Sequence, residues 1–249
     1  MIIYLYDGSF EGLLTAIYEA YYRSEKPEQI MVQQSYQPDL FSQPMVIATD
    51  SNKAGKVYDA IEQKISHDAM EHVFYVYLSE LPGLGTLIYR YLQFGWRVGA
   101  DINGHLSLEP VREVLRISQK VEVERHRMLG LLRFQKIQGQ GALYYAPFEP
   151  DYNIVGLIAP HFARRLADQN WIIHDLKRGL AAFYNQKGWI ISELASAGQL
   201  NWEENEAFYQ ELWQKYFQRI AVEGRTNRKV QRQFMPARYW RHLIEKPTE

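Results

Sequence analysis

The 249-residue sequence contains no cysteine. This excludes disulfides, thiol nucleophiles, and zinc or iron–sulfur sites held by thiolates of this chain. It fits a reducing cytoplasm, the expected location. Long apolar runs are also lacking. The longest stretches without Asp, Glu, Lys or Arg are twelve residues, 137–148 and 152–163, whereas a bilayer-spanning helix takes about 20. No membrane association is therefore expected. The start, "MIIYLYDGSF", has no basic n-region and carries Asp7 early, which argues against a signal peptide. Neither a Gly-Lys-Ser/Thr phosphate loop nor a Gly-x-Ser-x-Gly nucleophile elbow occurs. No internal repeat or low-complexity stretch interrupts the chain, and no cofactor or metal is implied by its residues.

Apolar residues make up 47% and charged residues 23%, as in ordinary globular chains long enough for a substantial core. The aromatic share is high at 14%, with 18 Tyr and 6 Trp; such rings fill cores, stack on bases and anchor interfaces. The net charge of −1 hides an uneven distribution. Residues 219–241 carry seven basic side chains against Glu223 alone, a net +6, so the rest of the chain totals −7. A basic stripe on a mildly acidic protein points to an anionic partner.

"MIIYLYD" predicts a short buried strand, followed by a helix capped by Ser9 in which Leu13, Leu14, Ile17 and Tyr21 repeat at helical spacing. "QIMVQQ" (29–34) and "MVIAT" (45–49) predict strands, with Asp50 or Ser51 capping a helix over about 52–65. From 67 to about 127 the pattern is helical, with Pro82 at one helix start and a long helix from near Ser107. "GLLRFQKI" and "ALYYAPF" predict a β-hairpin, "IVGLIAPHFARRLAD" a helix, and "NWIIHD", "GLAAFY" and "WIISEL" three further strands. An amphipathic helix spaced by Phe208, Leu212, Tyr216 and Ile220 precedes the basic tail, which ends in a short helix at 236–244. The expected class is α+β, a mostly helical body packed around a small antiparallel sheet module. Its segments are 1–127, 128–195 and 196–249, read together as one compact unit.

The densest polar stretch is "HFARRLADQNWIIHDLKR" (161–178). With Pro160 in the first turn of a helix, His161, Arg164, Arg165 and Asp168 would share one face beside free backbone N–H groups, an arrangement suited to a phosphate. The plain alternative is a solvated face with an Arg164–Asp168 pair. His174 shares a strand face with Ile172 and Leu176, while Asp175 faces with Trp171 and Ile173. A histidine on an apolar face is more often a hydrogen-bonded core residue than a catalyst. His161, Asp168, His174 and Asp175 are nevertheless the candidate catalytic residues, and a two-His, one-carboxylate metal set built from them is the weaker option. His67 and His72 are five apart and fall on different helix faces. "GLGT" (83–86) reads as a helix start, and Asp7 as a cap or a ligand at a strand-to-helix turn.

The tail "TNRKVQRQFMPARYW" combines phosphate-neutralising cations with stacking rings. Arg228, Lys229, Arg232, Gln233, Arg238, Tyr239 and Trp240 therefore join Arg164, Arg165, Lys177 and Arg178 as candidate nucleic-acid contacts. The bland reading is that Phe234, Met235 and Trp240 pack the tail onto the body while the charges are merely solvated.

At "YDGSFEGLLTAIYEAY" (6–21), "HRMLGLLRF" (126–134), "APHFARRLADQNWIIHDLKR" (159–178) and "RKVQRQFMPARYW" (228–240) the chain resembles a bacterial family described as probable DNA-metabolism proteins. Where such proteins often read "DQPW" or "NPK", this chain has "DQNW" (168–171) and "NRK" (227–229). The family's genes typically accompany a predicted radical-SAM protein of DNA repair or modification, and some members carry a fused uracil-DNA glycosylase domain. The resemblance thus implies a DNA context, with DNA, a radical-SAM protein and a uracil-DNA glycosylase as partners, but no reaction. Three functions stay open: a DNA-binding accessory protein, an enzyme acting on DNA bases or backbone, and a protein-binding scaffold without direct DNA contact.

Overall fold

The computed structural model describes residues 1–137, 143–194 and 234–243. The chain divides into two compact units, Met1–Glu122 and Val123–Glu249, the division falling inside a long helix. The fold is α+β, as the sequence predicts, with a sheet in each unit.

In the first unit β1 (Ile2–Tyr6) is the centre of a three-stranded parallel sheet, flanked by β2 (Gln29–Val32) and β3 (Gln43–Val46). Parallel strands are covered on both faces, and β1 accordingly buries Ile3, Tyr4, Leu5 and Tyr6 in succession. The third strand begins earlier than "MVIAT" suggests, because Gln43 and Pro44 already pair with Ile2 and Ile3. Helix α1 (Phe10–Tyr22) starts at Ser9, whose hydroxyl accepts the Gly12 N–H. Helix α2 (Ser51–Lys64) starts at Asp50, whose carboxylate accepts the N–H groups of Asn52 and Lys53. Helices α3 (His67–Leu78) and α4 (Leu84–Val98) follow, and then the long α5 (Glu109–Leu131). Leu13, Ile17, Ile30, Ile61, Val73, Ile88 and Leu92 form the core between these elements. "GLGT" is a helix start: Gly83 caps α4 in the left-handed region at φ 78°. A side chain at Gly85 would meet the Ile30 carbonyl at 2.6 Å, so the helix can approach β2 only with glycine there.

The second unit holds a five-stranded sheet in the order β4–β5–β6–β7–β8. Its strands are β4 (Gln135–Ile137), β5 (Leu143–Phe148), β6 (Asn170–Asp175), β7 (Leu180–Asn185) and β8 (Trp189–Glu193). The predicted hairpin exists as β4–β5, though Gly130 and Leu131 belong to the end of α5 rather than to its first arm. The sheet is not wholly antiparallel. β5 and β6 run parallel, connected through helix α6 (Val155–Arg165), since a parallel pair needs a crossover rather than a tight turn. Trp171 on β6 is fully buried and stacks on its cross-strand partner Tyr184, ring centroids 5.0 Å apart. The predicted amphipathic helix around 208–220 lies outside the described residues. The short helix near the C-terminus is a 3₁₀ segment, Ala237–His242.

Candidate functional site

Pro160 is not in the first turn of its helix. It is the sixth of the 11 residues of α6, which begins at Val155. His161, Arg164 and Arg165 therefore stand toward the C-terminal end, where backbone carbonyls rather than amides are free. The expected phosphate cradle of helix N–H groups is absent from this stretch. The two arginines still sit well there, because the negative end of the helix dipole favours cations. Both are exposed and form no ion pair among the described residues. Asp168 lies beyond the end of α6 and makes no salt bridge with Arg164. His161 is half-buried, edge-on to Phe162 at 5.1 Å.

The strand half of the stretch is closed to solvent on both faces. His174 and Asp175 are 1% and 0% exposed. The His174 Nδ1 shares a 2.7 Å hydrogen bond with the Tyr145 hydroxyl on β5, in which either group could donate. Burial holds the imidazole below its ordinary pKa, so it is neutral at neutral pH. Asp175 accepts the backbone N–H groups of Lys177 and Arg178, and its second oxygen receives the Arg178 guanidinium at 2.9 Å. Burial nevertheless pushes the Asp175 carboxyl up, against the pull of Arg178. Arg178 does not emerge toward solvent as the sequence suggests. Its side chain is 10% exposed and also donates to the carbonyls of Pro150 and Asp151.

That same 149–152 loop receives the tail. Arg238 pairs with Asp151 at 2.7 Å, Arg241 with Glu149 at 3.2 Å, and Lys177 donates to the Asp151 carbonyl. Beneath them Glu124 of α5, 2% exposed, accepts the N–H groups of Asp151 and Tyr152 and the Tyr239 hydroxyl. "HDLKR" and "ARYWR", far apart in sequence, thus meet at one loop. Charge there is largely balanced by Glu124, Glu149, Asp151 and Asp175. Tyr239 is 4% exposed, so its ring is not open for base stacking, and the half-buried Trp240 donates its indole N–H to the Met235 carbonyl. Arg228, Lys229, Arg232 and Gln233 lie outside the described residues.

No hydrogen bond joins His161, Asp168, His174 and Asp175 into a catalytic group, apart from the chain link between the last two. No trio of His, Asp or Glu among the described residues could hold a metal ion, so the two-His, one-carboxylate set is not assembled. His72 bonds to Ser118 and His67 to Glu62, each in a separate local contact. In the first unit, Asp7 accepts both the N–H and hydroxyl of Ser9 and the Thr49 hydroxyl at 2.8 Å. Burial raises its pKa, but these hydrogen bonds outweigh it and hold the carboxyl below its ordinary range. A Cβ at Gly12 would lie 2.2 Å from an Asp7 oxygen, so the turn closes on itself as a cap. Sequence reasoning passed over Glu124 and Tyr145. Only their apolar neighbours at helical or strand spacing hinted that these polar groups face inward.

Among the described residues no helix is long and apolar enough to cross a membrane. No match to a curated protein was found. Residues 82–245, about two thirds of the chain, match the family described as a domain of unknown function, DUF4130. That span holds α4, α5, the whole described second unit and three of the four motif segments quoted above. The chain belongs to the DUF4130 family.

Proposed function

We propose that this protein is a DNA-metabolism accessory factor that binds nucleic acid and works with a separate radical-SAM enzyme of DNA repair or modification. The observation that carries the binding is the exposed Arg164–Arg165 pair, two guanidinium groups with no carboxylate partner among the described residues. Guanidinium groups held at the surface and not neutralised internally are suited to phosphate oxygens. Lys177, in the same sequence motif, is also exposed, and the basic 228–233 segment would extend the footprint. Arg178 is excluded from it, because it holds Asp175 and the 149–152 loop. The motif resemblance supports the DNA context and the radical-SAM partner. Such a partner would hold its cluster on its own cysteines, since this chain has none.

The reading is tested by a gel shift at low salt with duplex and single-stranded oligonucleotides. Binding that strengthens as salt falls supports it, and no shift with either strand refutes it. Co-purification of a radical-SAM protein with the tagged chain, before and after nuclease, tests the partnership. Retention after nuclease by a chain with no oligonucleotide affinity would favour the scaffold reading instead.

A further inference from the structure

The first unit carries a second cluster of rings and cations. On α1, Tyr18, Tyr21 and Tyr22 fall at i, i+3 and i+4, so they lie along neighbouring edges of its last turns. On α2, Lys53, Lys56, Ala60 and Lys64 fall within about 80° of arc, one face of the helix. The two helices pack side by side. Their tyrosine and lysine edges meet over a cleft of about 170 Å³, walled on a third side by Trp96 from the last turn of α4. The floor is apolar, from Ile17, Val57 and Ala60.

Two features separate this cleft from an ordinary surface hollow. First, its rings are open: Tyr21 and Tyr22 are 56% and 71% exposed. They are ordered by each other, Tyr18 lying 4.4 Å from Tyr22 and Tyr21 lying 5.3 Å from Trp96, centroid to centroid. Single exposed aromatics are common, but a contiguous set around a concavity marks a binding surface. Second, its cations are not spent. Lys53 is paired with Glu19 at 2.6 Å, whereas Lys56 and Lys64 have no carboxylate partner among the described residues. The Lys56 ammonium lies 5.9 Å from the centre of the Tyr18 ring, so positive charge sits at the edge of the aromatic wall.

The volume is below the roughly 300 Å³ at which pockets for drug-sized ligands begin, so the cleft suits one flat ring system. The ligand must also bring anionic groups just outside that ring. An unpaired nucleotide has this form, a base for the aromatic slot with phosphates on either side for the lysines. An acidic peptide or a lipid headgroup would use the lysines and leave the ring slot unfilled.

We propose that the cleft between α1, α2 and α4 binds an unpaired nucleotide of single-stranded nucleic acid, its base against Tyr21, Tyr22 and Trp96 and its flanking phosphates on Lys56 and Lys64. This rests on the nucleic-acid reading above and assigns it a site in the first unit. A base inside a duplex cannot enter such a slot without leaving its stack, so the cleft discriminates between strand forms.

The test is fluorescence anisotropy of the full chain with a labelled oligo-dT strand and a labelled duplex of the same length. The variants are Tyr21→Ala/Tyr22→Ala, Tyr21→Phe/Tyr22→Phe, Lys56→Gln/Lys64→Gln and Arg164→Gln/Arg165→Gln. All six side chains are exposed, and an unchanged urea midpoint confirms the fold of each variant. The alanine pair should weaken single-strand binding roughly 5- to 100-fold, as expected for lost base stacking, with duplex binding unchanged and the phenylalanine pair behaving as wild type. The lysine pair should lower the single-strand salt slope by about 1.4, two contacts at about 0.7 each. Wild-type strand affinity in both cleft variants, with loss only in the arginine pair, overturns this inference and leaves the proposed function standing. Equal loss of duplex and single-strand binding in the cleft variants also overturns it. So does lysine-dependent binding of phosphatidylglycerol vesicles with no loss of oligonucleotide. No binding of either strand by the wild type defeats both.

Discussion

Arg178 holds three things at once: the buried Asp175 carboxylate and the carbonyls of Pro150 and Asp151. Replacing it with methionine leaves a buried carboxylate with only backbone donors. Breaking a buried pair in this way costs about 3–5 kcal/mol, so Arg178→Met should lower the urea unfolding free energy by that order. Asp175→Asn, which removes the charge as well, should cost less. Acid adds a second prediction. Burial lowers the pKa of His72, His174 and His242 in the folded chain. A lowered folded pKa contributes stability that is full above the unfolded value of about 6.5 and is lost as pH falls through the folded one. Asp175, raised by burial, acts in the opposite sense from about pH 3.8 upward. Comparing His174→Gln with the wild type isolates one histidine: the variant should lose less stability between pH 6.5 and 5, and equal losses would contradict the assignment. At this scale the sequence was partly legible. Two isoleucines before His174 mark it as inward. Its partner Tyr145 lies 29 residues away on a parallel strand, a register that no local pattern encodes.

Among the elements, α6 shows where local rules mislead. Proline is favoured in a first helical turn, which suggests a start at Pro160. Val155, Ile158, Ala159 and Phe162, all buried at i, i+3, i+4 and i+7, already mark the helix from 155. Core packing outweighs the hydrogen bond that the proline removes. The caps at Ser9 and Asp50 were legible because an N-cap is a contact within a few residues. The parallel pairing of β5 with β6 was not, because it depends on where α6 carries the chain. The 234–243 segment joins the second unit through the Tyr239 hydroxyl on Glu124. Tyr239→Phe leaves a buried carboxylate short of one donor and should cost about 1–3 kcal/mol. Because the Tyr239 ring is not open to a base, oligonucleotide affinity should stay within about twofold of wild type, which titration of the folded variant would check. A large loss of affinity at unchanged stability would show instead that the ring contacts nucleic acid.

For the whole molecule, net charge is a poor guide to partners. The chain totals −1, and the two described arginines of its basic tail, Arg238 and Arg241, are matched in place by Asp151 and Glu149. Among the described residues, Arg164 and Arg165 in the second unit and Lys56 and Lys64 in the first are exposed cations without a carboxylate partner, and so are suited to an anionic one. Electrostatic binding through few contacts should be weak and only modestly salt-dependent, with each phosphate contact to duplex DNA adding about 0.9 to the slope of log K against log salt. The most direct measurement is that slope for duplex DNA with the wild-type chain and with Arg164→Gln/Arg165→Gln. The account predicts binding at low salt and a slope smaller by about 1.8 in the variant. No binding by the wild type, or an unchanged slope in the variant, would contradict it.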